Sequence, residues 1–223
     1  GQGVQGWKGR GEGAVSFINF ERDSGVSLRA ATNKPQYKPE WWERVQWNDL
    51  YGNQEDPTMS CFPFGVPRQG PPDRIAMLGP EEYIFMHTGG GSATGRYTKP
   101  RLIPMNKPHP PYEEWQGVSW LGIPSAHWEG DTLVIESGGF NDESWLGWTG
   151  YIHSWDMTVT ERIRREGNTL HWEATVDDTM LLEPWTTDPI ESRLNSDPEA
   201  FFFGDTPCDE RDAEHIVDPN VRG

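Results

Sequence analysis

Apolar and polar side chains alternate along residues 151–165, YIHSWDMTVTERIRR, and this pattern predicts one long β-strand. The apolar face of the strand would carry Tyr151, His153, Trp155, Met157, Val159, Glu161 and Ile163. The other face is polar, as expected for a strand with one side in solvent. The apolar face also holds an imidazole and a carboxylate, and a buried carboxylate is rarely left without a partner. The pattern therefore predicts an interior that contains functional or hydrated polar groups.

The rest of the chain also favours β-structure. One helix is predicted near 39–51, because Pro39 suits a first turn and Trp41, Trp42 and Val45 form an apolar stripe that Gly52 would end. Short strands are predicted at 14–19, 74–78, 83–87, 126–128, 132–136 and 169–176. Turn sequences such as Glu129-Gly130-Asp131 separate neighbouring strands. Many short strands without a βαβ rhythm predict an all-β, antiparallel barrel or sandwich.

The domain organisation predicted from the 223 residues is simple. Residues 1–13 are rich in glycine and are expected to form a flexible arm, and 14–223 are expected to form a single domain. The proline-rich stretches 53–73 and 99–124 are predicted to be long loops. The acidic stretch 187–223 is also predicted to be loop-like.

The formal net charge of −16 argues against nucleic-acid binding, which requires a basic surface. No apolar stretch approaches the roughly 20 residues of a membrane-spanning helix, so membrane insertion is not expected. Hydrophobic residues make up only 34% of the chain, but 12 tryptophans can bury a large area in a core. The sequence leaves monomer and homodimer both open.

Several segments resemble a family of predicted secreted bacterial proteins of uncharacterised function. They are NKPQYKPEWWERV, DPTMSCFPFGVPR, HWEGDTLVIESGGFND, HSWDMTVTERIRREGNTLHWEATVDD and EPWT, with WEGDTLV and VTER as the most specific cores. The resemblance covers roughly residues 33–186. It implies a lipocalin-like barrel with the helix packed outside, and a periplasmic or secreted location.

The chain has two cysteines, Cys61 and Cys208. They are either two buried free thiols or one long-range disulfide, and a disulfide would imply an oxidising compartment. The position of Cys208 is similar to that of a late cysteine in the family pattern. Their spacing fits no zinc motif.

Three residues are candidates for acid–base catalysis. Burial of Glu161 among apolar neighbours would favour its protonated form unless Arg96 or Arg101 pairs with it. In a straight strand His153 would lie roughly 26 Å from Glu161. His153 is therefore predicted at the rim of a cavity, and Glu161 deep inside it. His109 lies between prolines in KPHPPYEEW, which would hold its imidazole rigidly over the mouth of a barrel. Each of the three also has a purely structural interpretation.

Aromatic and apolar side chains are predicted to bind the substrate. The candidates are Trp155, Tyr151, Met157, Trp120, Trp172, Tyr83, Phe85 and His87. An interior lined in this way suits a hydrophobic, aromatic or polycyclic small molecule. The sequence contains no convincing nucleotide or metal motif, so no cofactor is expected.

We therefore predict a cofactor-independent enzyme of the lyase or isomerase type, such as a dehydratase, decarboxylase or cyclase. One alternative is a secreted carrier that binds the same ligand without turnover. Another is a metal-dependent enzyme using histidine and glutamate ligands, although no metal-ligand spacing supports it. A Ser-His-Asp hydrolase is less favoured, because the G-x-S-x-G elbow is missing.

Overall fold

The computed structural model describes residues 15–18, 32–60, 62–72, 74–79, 82–86, 101–108, 119–147 and 150–194. The strands within these ranges are β1 Val15–Ile18, β2 Arg74–Gly79, β3 Glu82–Met86, β4 Arg101–Pro104, β5 Ile123–Glu129, β6 Thr132–Gly138, β7 Thr158–Glu166, β8 Thr169–Asp177, β9 Trp185–Thr186 and β10 Ile190–Leu194. The helix α1 spans Pro39–Glu55, and a 3₁₀ turn follows at Pro57–Ser60. The glycine-rich arm lies outside the described ranges. So do five of the residues considered above, namely Cys61, His87, Arg96, His109 and Cys208.

The ten strands form one sheet in the order β4-β3-β2-β1-β10-β8-β7-β6-β5, with β9 beside β8. All these strand pairs are antiparallel. For the described residues, the predicted all-β, antiparallel class with an N-terminal helix is therefore confirmed. Among the described residues, no helix is both long enough and apolar enough to cross a membrane.

The sheet curls until its two edges meet. An isolated bridge joins Met105, just after β4, to Ala126 on β5, and the Asn106 amide donates to the Ala126 carbonyl at 2.7 Å. In the described part of the chain this single bridge is not extended into a ladder, so the sheet is not closed. A strongly curved antiparallel sheet is established, whereas the predicted lipocalin-like barrel is not confirmed.

Two long hairpins form one half of the sheet. The β5–β6 turn contains Gly130 and the β7–β8 turn contains Gly167, and both glycines have positive φ angles, of 60° and 56°. Such angles favour glycine in tight turns. Every second side chain is buried from Val159 to Ile163 on β7 and from Leu170 to Val176 on β8, as the sequence pattern predicts for strands with one face in the core.

The strand predicted over 151–165 is wrong in its first half, because β7 begins only at Thr158. Ser154 forms a turn instead: its hydroxyl accepts from the Asp156 amide at 3.2 Å, and its carbonyl accepts from the Met157 amide at 3.3 Å. These local hydrogen bonds compete with strand pairing. The predicted inward direction is consequently wrong for Trp155, whose side chain lies in the turn and is 49% exposed.

Three further boundaries differ from the predictions. Helix α1 continues through Gly52, because one glycine costs a helix only about 1 kcal/mol. Strand β4 lies within the predicted loop 99–124, and β10 lies within the stretch 187–223 that was expected to be loop-like. Both strands pair with partners at least 16 positions away, beyond the short turns from which a hairpin can be predicted.

Candidate active site

A short hairpin between β6 and β7 places a serine opposite a histidine. Trp145 and Ile152 form an isolated antiparallel bridge, and the Leu146 amide donates to the Tyr151 carbonyl at 2.7 Å. Continuing this register by one residue sets Ser144 directly across from His153. The Ser144 hydroxyl lies 2.8 Å from His153 Nε2, and both residues are only 1% exposed.

The hydrogen bonds of His153 fix its tautomer. Its Nδ1 lies 3.0 Å from the Ser154 carbonyl oxygen, which can only accept, so Nδ1 carries the proton. Nε2 is then unprotonated in the neutral ring and accepts from the Ser144 hydroxyl. Burial lowers the pKa of His153, outweighing the carbonyl hydrogen bond and the nearby carboxylates, which favour the charged form. The pair is therefore a neutral imidazole aimed at a hydroxyl.

A buried carboxylate holds the backbone next to His153 in place. Asp178 Oδ2 accepts from the Ser154 amide at 2.8 Å and from the Ser154 hydroxyl at 3.1 Å. Its Oδ1 accepts from the Met180 amide at 2.7 Å. Because Ser154 supplies the carbonyl that orients His153, Asp178 acts on the imidazole through one intermediate residue.

The N-terminal segment supports the hairpin from the other side. The Tyr37 hydroxyl donates to the Ile152 carbonyl at 2.5 Å, and Asn48 of α1 donates from its side-chain amide to the Gly150 carbonyl at 3.3 Å. Gly150 has a φ of 76°, and a Cβ there would lie 2.2 Å from Asn48 Cβ. The helix therefore packs directly on the backbone of the hairpin, where only glycine fits.

The buried segment 63–72 covers the serine. Gly65 has a φ of 74°, and a Cβ there would lie 2.5 Å from Ser144 Oγ. Close approach of the main chain to the hydroxyl thus depends on glycine. The segment is anchored by Arg68, which binds Asp56 with two hydrogen bonds of 2.8 and 2.5 Å and lies over the rings of Phe64 and Trp145.

Three amide side chains on the segments that flank this hairpin have buried polar atoms without a hydrogen-bond partner among the described residues. These are Gln69 Nε2, Asn141 Oδ1 and Asn48 Oδ1. The backbone of Gln69 donates to Gly65 at 3.1 Å, and Asn141 lies three residues before Ser144. Buried polar atoms are nearly always paired, and an orphaned one often marks a place for water or ligand. Together with Ser144 and His153 these amides form what we call the loop cluster.

Glu161 lies in a second polar group, which we call the interior cluster: Arg101, Ser137, Glu161 and Trp172. Arg101 Nη1 lies 2.7 Å from Glu161 Oε2, with both side chains 1% exposed, but without the alignment of a hydrogen bond. The Trp172 indole donates to Glu161 Oε1 at 3.1 Å, and Arg101 Nη2 donates to Ser137 at 3.2 Å. Arg101 is thus the partner on which the acid–base prediction for Glu161 was conditional.

The predicted catalytic residues His153 and Glu161 are not brought together by any contact, because each belongs to a different cluster. The third, His109, is not described. Neither Ser144 nor Asp178 was predicted. Ser144 and His153 are nine positions apart with Gly150 between them, which is compatible with a hairpin that pairs them. This signal is weak, because glycine-containing turns are common.

The predicted substrate-binding residues are dispersed. Met157 and Trp172 are buried in the core, and Tyr151 packs against Tyr37 with ring centroids 6.1 Å apart. Trp120 stacks on the exposed Phe62 at 4.9 Å. Tyr83 and Phe85 lie on β3, paired in register with Ile103 and Arg101 of β4. Trp155 lies in the turn that follows His153 and Ser154, and its side chain is 49% exposed.

Within the described ranges, no group of three or more His, Cys, Asp or Glu side chains is arranged to hold a metal ion. Nothing in these ranges therefore favours the metal-dependent alternative. Because both cysteines lie outside the described residues, their disulfide stays a prediction.

Comparison with known proteins assigns no relative to this chain. No family model, no curated protein and no solved structure matches it significantly. Support for a catalytic function therefore comes from the geometry of the two polar clusters.

Proposed function

We propose that the protein is a cofactor-independent enzyme that performs acid–base chemistry on a hydrophobic, aromatic or polycyclic small molecule. In this proposal His153 is the group that transfers the proton. The observation that carries it is the 2.8 Å contact between a buried, neutral imidazole and the Ser144 hydroxyl. The reaction would be of the lyase or isomerase type, because proton transfer needs no cofactor.

The surroundings of His153 support this role. Its proton-free Nε2 can act as a base, while Nδ1 is held by the Ser154 carbonyl and cannot rotate away. The Phe140 ring packs edge-on against the imidazole with centroids 6.3 Å apart. An apolar, dehydrated setting keeps the imidazole neutral and strengthens any hydrogen bond it makes to a substrate.

Glu161 takes a different part in the proposal. Its Oε2 lies 2.7 Å from Arg101 Nη1 and its Oε1 accepts from the Trp172 indole, so we assign Glu161 to positioning the interior side chains and assign proton transfer to His153. Arg101 on β4 reaches Glu161 on β7 across the interior of the curved sheet, which supports a lipocalin-like barrel. The bridge between Met105 and Ala126 brings the two edges of the sheet together, but it is parallel, whereas a lipocalin barrel pairs antiparallel strands.

The test is a conversion assay on a panel of hydrophobic aromatic hydroxy acids, ketones and carboxylic acids, analysed by liquid chromatography and mass spectrometry. Loss of water indicates a dehydratase, loss of carbon dioxide a decarboxylase, and a changed retention time at constant mass an isomerase or cyclase. We expect His153→Gln to lower the rate for a converted compound by about 10²-fold or more. The matched control is His127→Gln, since His127 lies on the surface of β5 and should leave the rate unchanged.

Full turnover by a folded His153→Gln protein would contradict the proposal. If compounds bind in equilibrium dialysis but none is converted, the carrier alternative is correct and the enzyme proposal is wrong. If none binds, the proposal of a small hydrophobic ligand fails as well.

We further propose that the protein is exported and carries a Cys61–Cys208 disulfide. The resemblance of its motifs to predicted secreted proteins supports this. Thiol titration of the unfolded chain with and without reductant tests it. Two thiols without reductant would show that the disulfide is absent.

A further inference from the structure

We propose that Ser144 is a nucleophile, and that the Ser144–His153 pair transfers the acyl group of a hydrophobic ester to water. This goes beyond lyase or isomerase chemistry, but it rests on the proposed function because it uses His153 as the base. The missing G-x-S-x-G elbow excludes only one scaffold, since serine–histidine pairs occur on unrelated folds.

The geometry meets the first requirement of such a site. A serine is activated when its hydroxyl donates to a proton-free imidazole nitrogen that another group holds in place. Here Ser144 Oγ lies 2.8 Å from His153 Nε2, and the Ser154 carbonyl holds Nδ1 at 3.0 Å. Asp178 fixes Ser154 through two hydrogen bonds, so it is a positioning residue for the imidazole.

The second requirement is a donor for the oxyanion that forms at the ester carbonyl. Gln69 has a buried Nε2 with no hydrogen-bond partner among the described residues. It belongs to the turn whose Gly65 touches Ser144, as the 3.1 Å bond from its backbone amide to the Gly65 carbonyl shows. We assign the Gln69 amide as the oxyanion donor. Glycine at position 65 leaves room beside Oγ that an alanine Cβ would fill.

The reaction balances without any co-reactant except water. A lone pair of Ser144 Oγ attacks the ester carbonyl carbon while the hydroxyl proton passes to His153 Nε2. The tetrahedral intermediate then collapses, the bond to the alcohol oxygen breaks, and Nε2 returns the proton to the departing alkoxide. Water attacks the acyl-serine with His153 again as base, which releases the acid and restores the hydroxyl.

Both side chains are 1% exposed, so an ester reaches Ser144 only by displacing part of the surrounding loops. Phe62 and Trp120 form a stacked aromatic pair beside this region, and the Trp120 carbonyl lies 3.3 Å from the Cβ position of Gly65. Aromatic rings at the approach to the serine favour esters of hydrophobic acids over those of short polar acids.

The experiment uses a fluorophosphonate probe with an alkyl chain, which forms a stable adduct with activated serines. We expect one adduct per chain, mapped to Ser144 by peptide mass spectrometry of the folded wild-type protein. His153→Gln should slow labelling by about 10²-fold or more, because the base is lost. Ser192→Ala is the matched control, since Ser192 is a comparably buried serine on β10 and should not affect labelling.

An unlabelled native protein, or an adduct on another residue, would overturn the proposal. Mapping on the wild type keeps this test valid even if Ser144→Ala does not fold. Gln69→Leu should slow hydrolysis of a p-nitrophenyl ester by about 10²-fold, and an unchanged rate would remove Gln69 from the assignment. If labelling fails while the conversion assay still depends on His153, only the nucleophile is wrong; if both fail, the proposed function fails too.

Discussion

Breaking the ion pair between Arg101 and Glu161 should destabilise the protein far more than removing both charges. Each side chain is 1% exposed, so either single substitution leaves a buried charge without an opposite charge beside it. Such a change costs about 3–5 kcal/mol, a large part of the roughly 5–15 kcal/mol of a typical domain. We therefore expect Arg101→Met and Glu161→Gln each to lower the free energy of unfolding by about 3–5 kcal/mol.

The double variant should recover most of this loss. The glutamine that replaces Glu161 can still accept from the Trp172 indole, and the methionine that replaces Arg101 fills the space of the arginine stem without a charge. The remaining cost is the hydrogen bond from Arg101 to Ser137, about 0.5–1.5 kcal/mol. In a double-mutant cycle the summed single losses should therefore exceed the loss of the double variant by at least about 4.5 kcal/mol.

The assay is equilibrium urea unfolding followed by tryptophan fluorescence. The slope of the free energy of unfolding against urea concentration should be the same in all variants. The surface pair Arg162–Glu129 is a matched control, because its atoms are also 2.7 Å apart but its side chains are 40% and 50% exposed. Removing that pair should leave stability nearly unchanged. Additive losses at Arg101 and Glu161, or losses as small as those of the surface pair, would refute the reasoning.

Three further predictions concern the loop cluster and its supports. Because burial lowers the pKa of His153, the unfolded chain binds a proton at higher pH than the folded protein does. The free energy of unfolding should therefore decrease as the pH falls below about 6.5. In His153→Gln the urea midpoint should depend less on pH across that range. Gly150→Ala should cost about 1–3 kcal/mol more than Gly167→Ala in urea unfolding, because only Gly150 meets a neighbour, while both have positive φ; equal losses would contradict this. Asp56→Asn should cost about 3–5 kcal/mol by leaving Arg68 charged and buried, and a loss below about 1 kcal/mol would contradict the ion pair as drawn.

Local sequence patterns predicted the parts of the fold that depend on neighbouring residues. The hairpin turns at Gly130 and Gly167 could be predicted from the sequence, because tight turns favour glycine at positive φ. The burial of Val159, Glu161 and Ile163 could also be predicted, because every second side chain of a strand lies on the same face. The same rule failed at Trp155, where hydrogen bonds of the Ser154 side chain and carbonyl form a turn.

The site itself was only partly predictable. The alternation along the chain singled out His153 and Glu161 as unusual residues for an inward face. It did not reveal Ser144, since a serine in a loop carries no pattern of its own, and it placed both titratable groups in one strand and one cavity. The hairpin at Gly150 separates them into two clusters.

The sequence by itself therefore determined the antiparallel β class, the two long hairpins and the presence of polar groups on a buried face. The tertiary structure alone decided which partners those groups have. Arg101 of β4 reaches Glu161 of β7 because the sheet curves until β4 and β5 meet, and Asp178 reaches Ser154 from 24 positions away. Periodicity reports which face a residue occupies, but electrostatic pairing depends on distances across the core, and these are set only when the sheet curves.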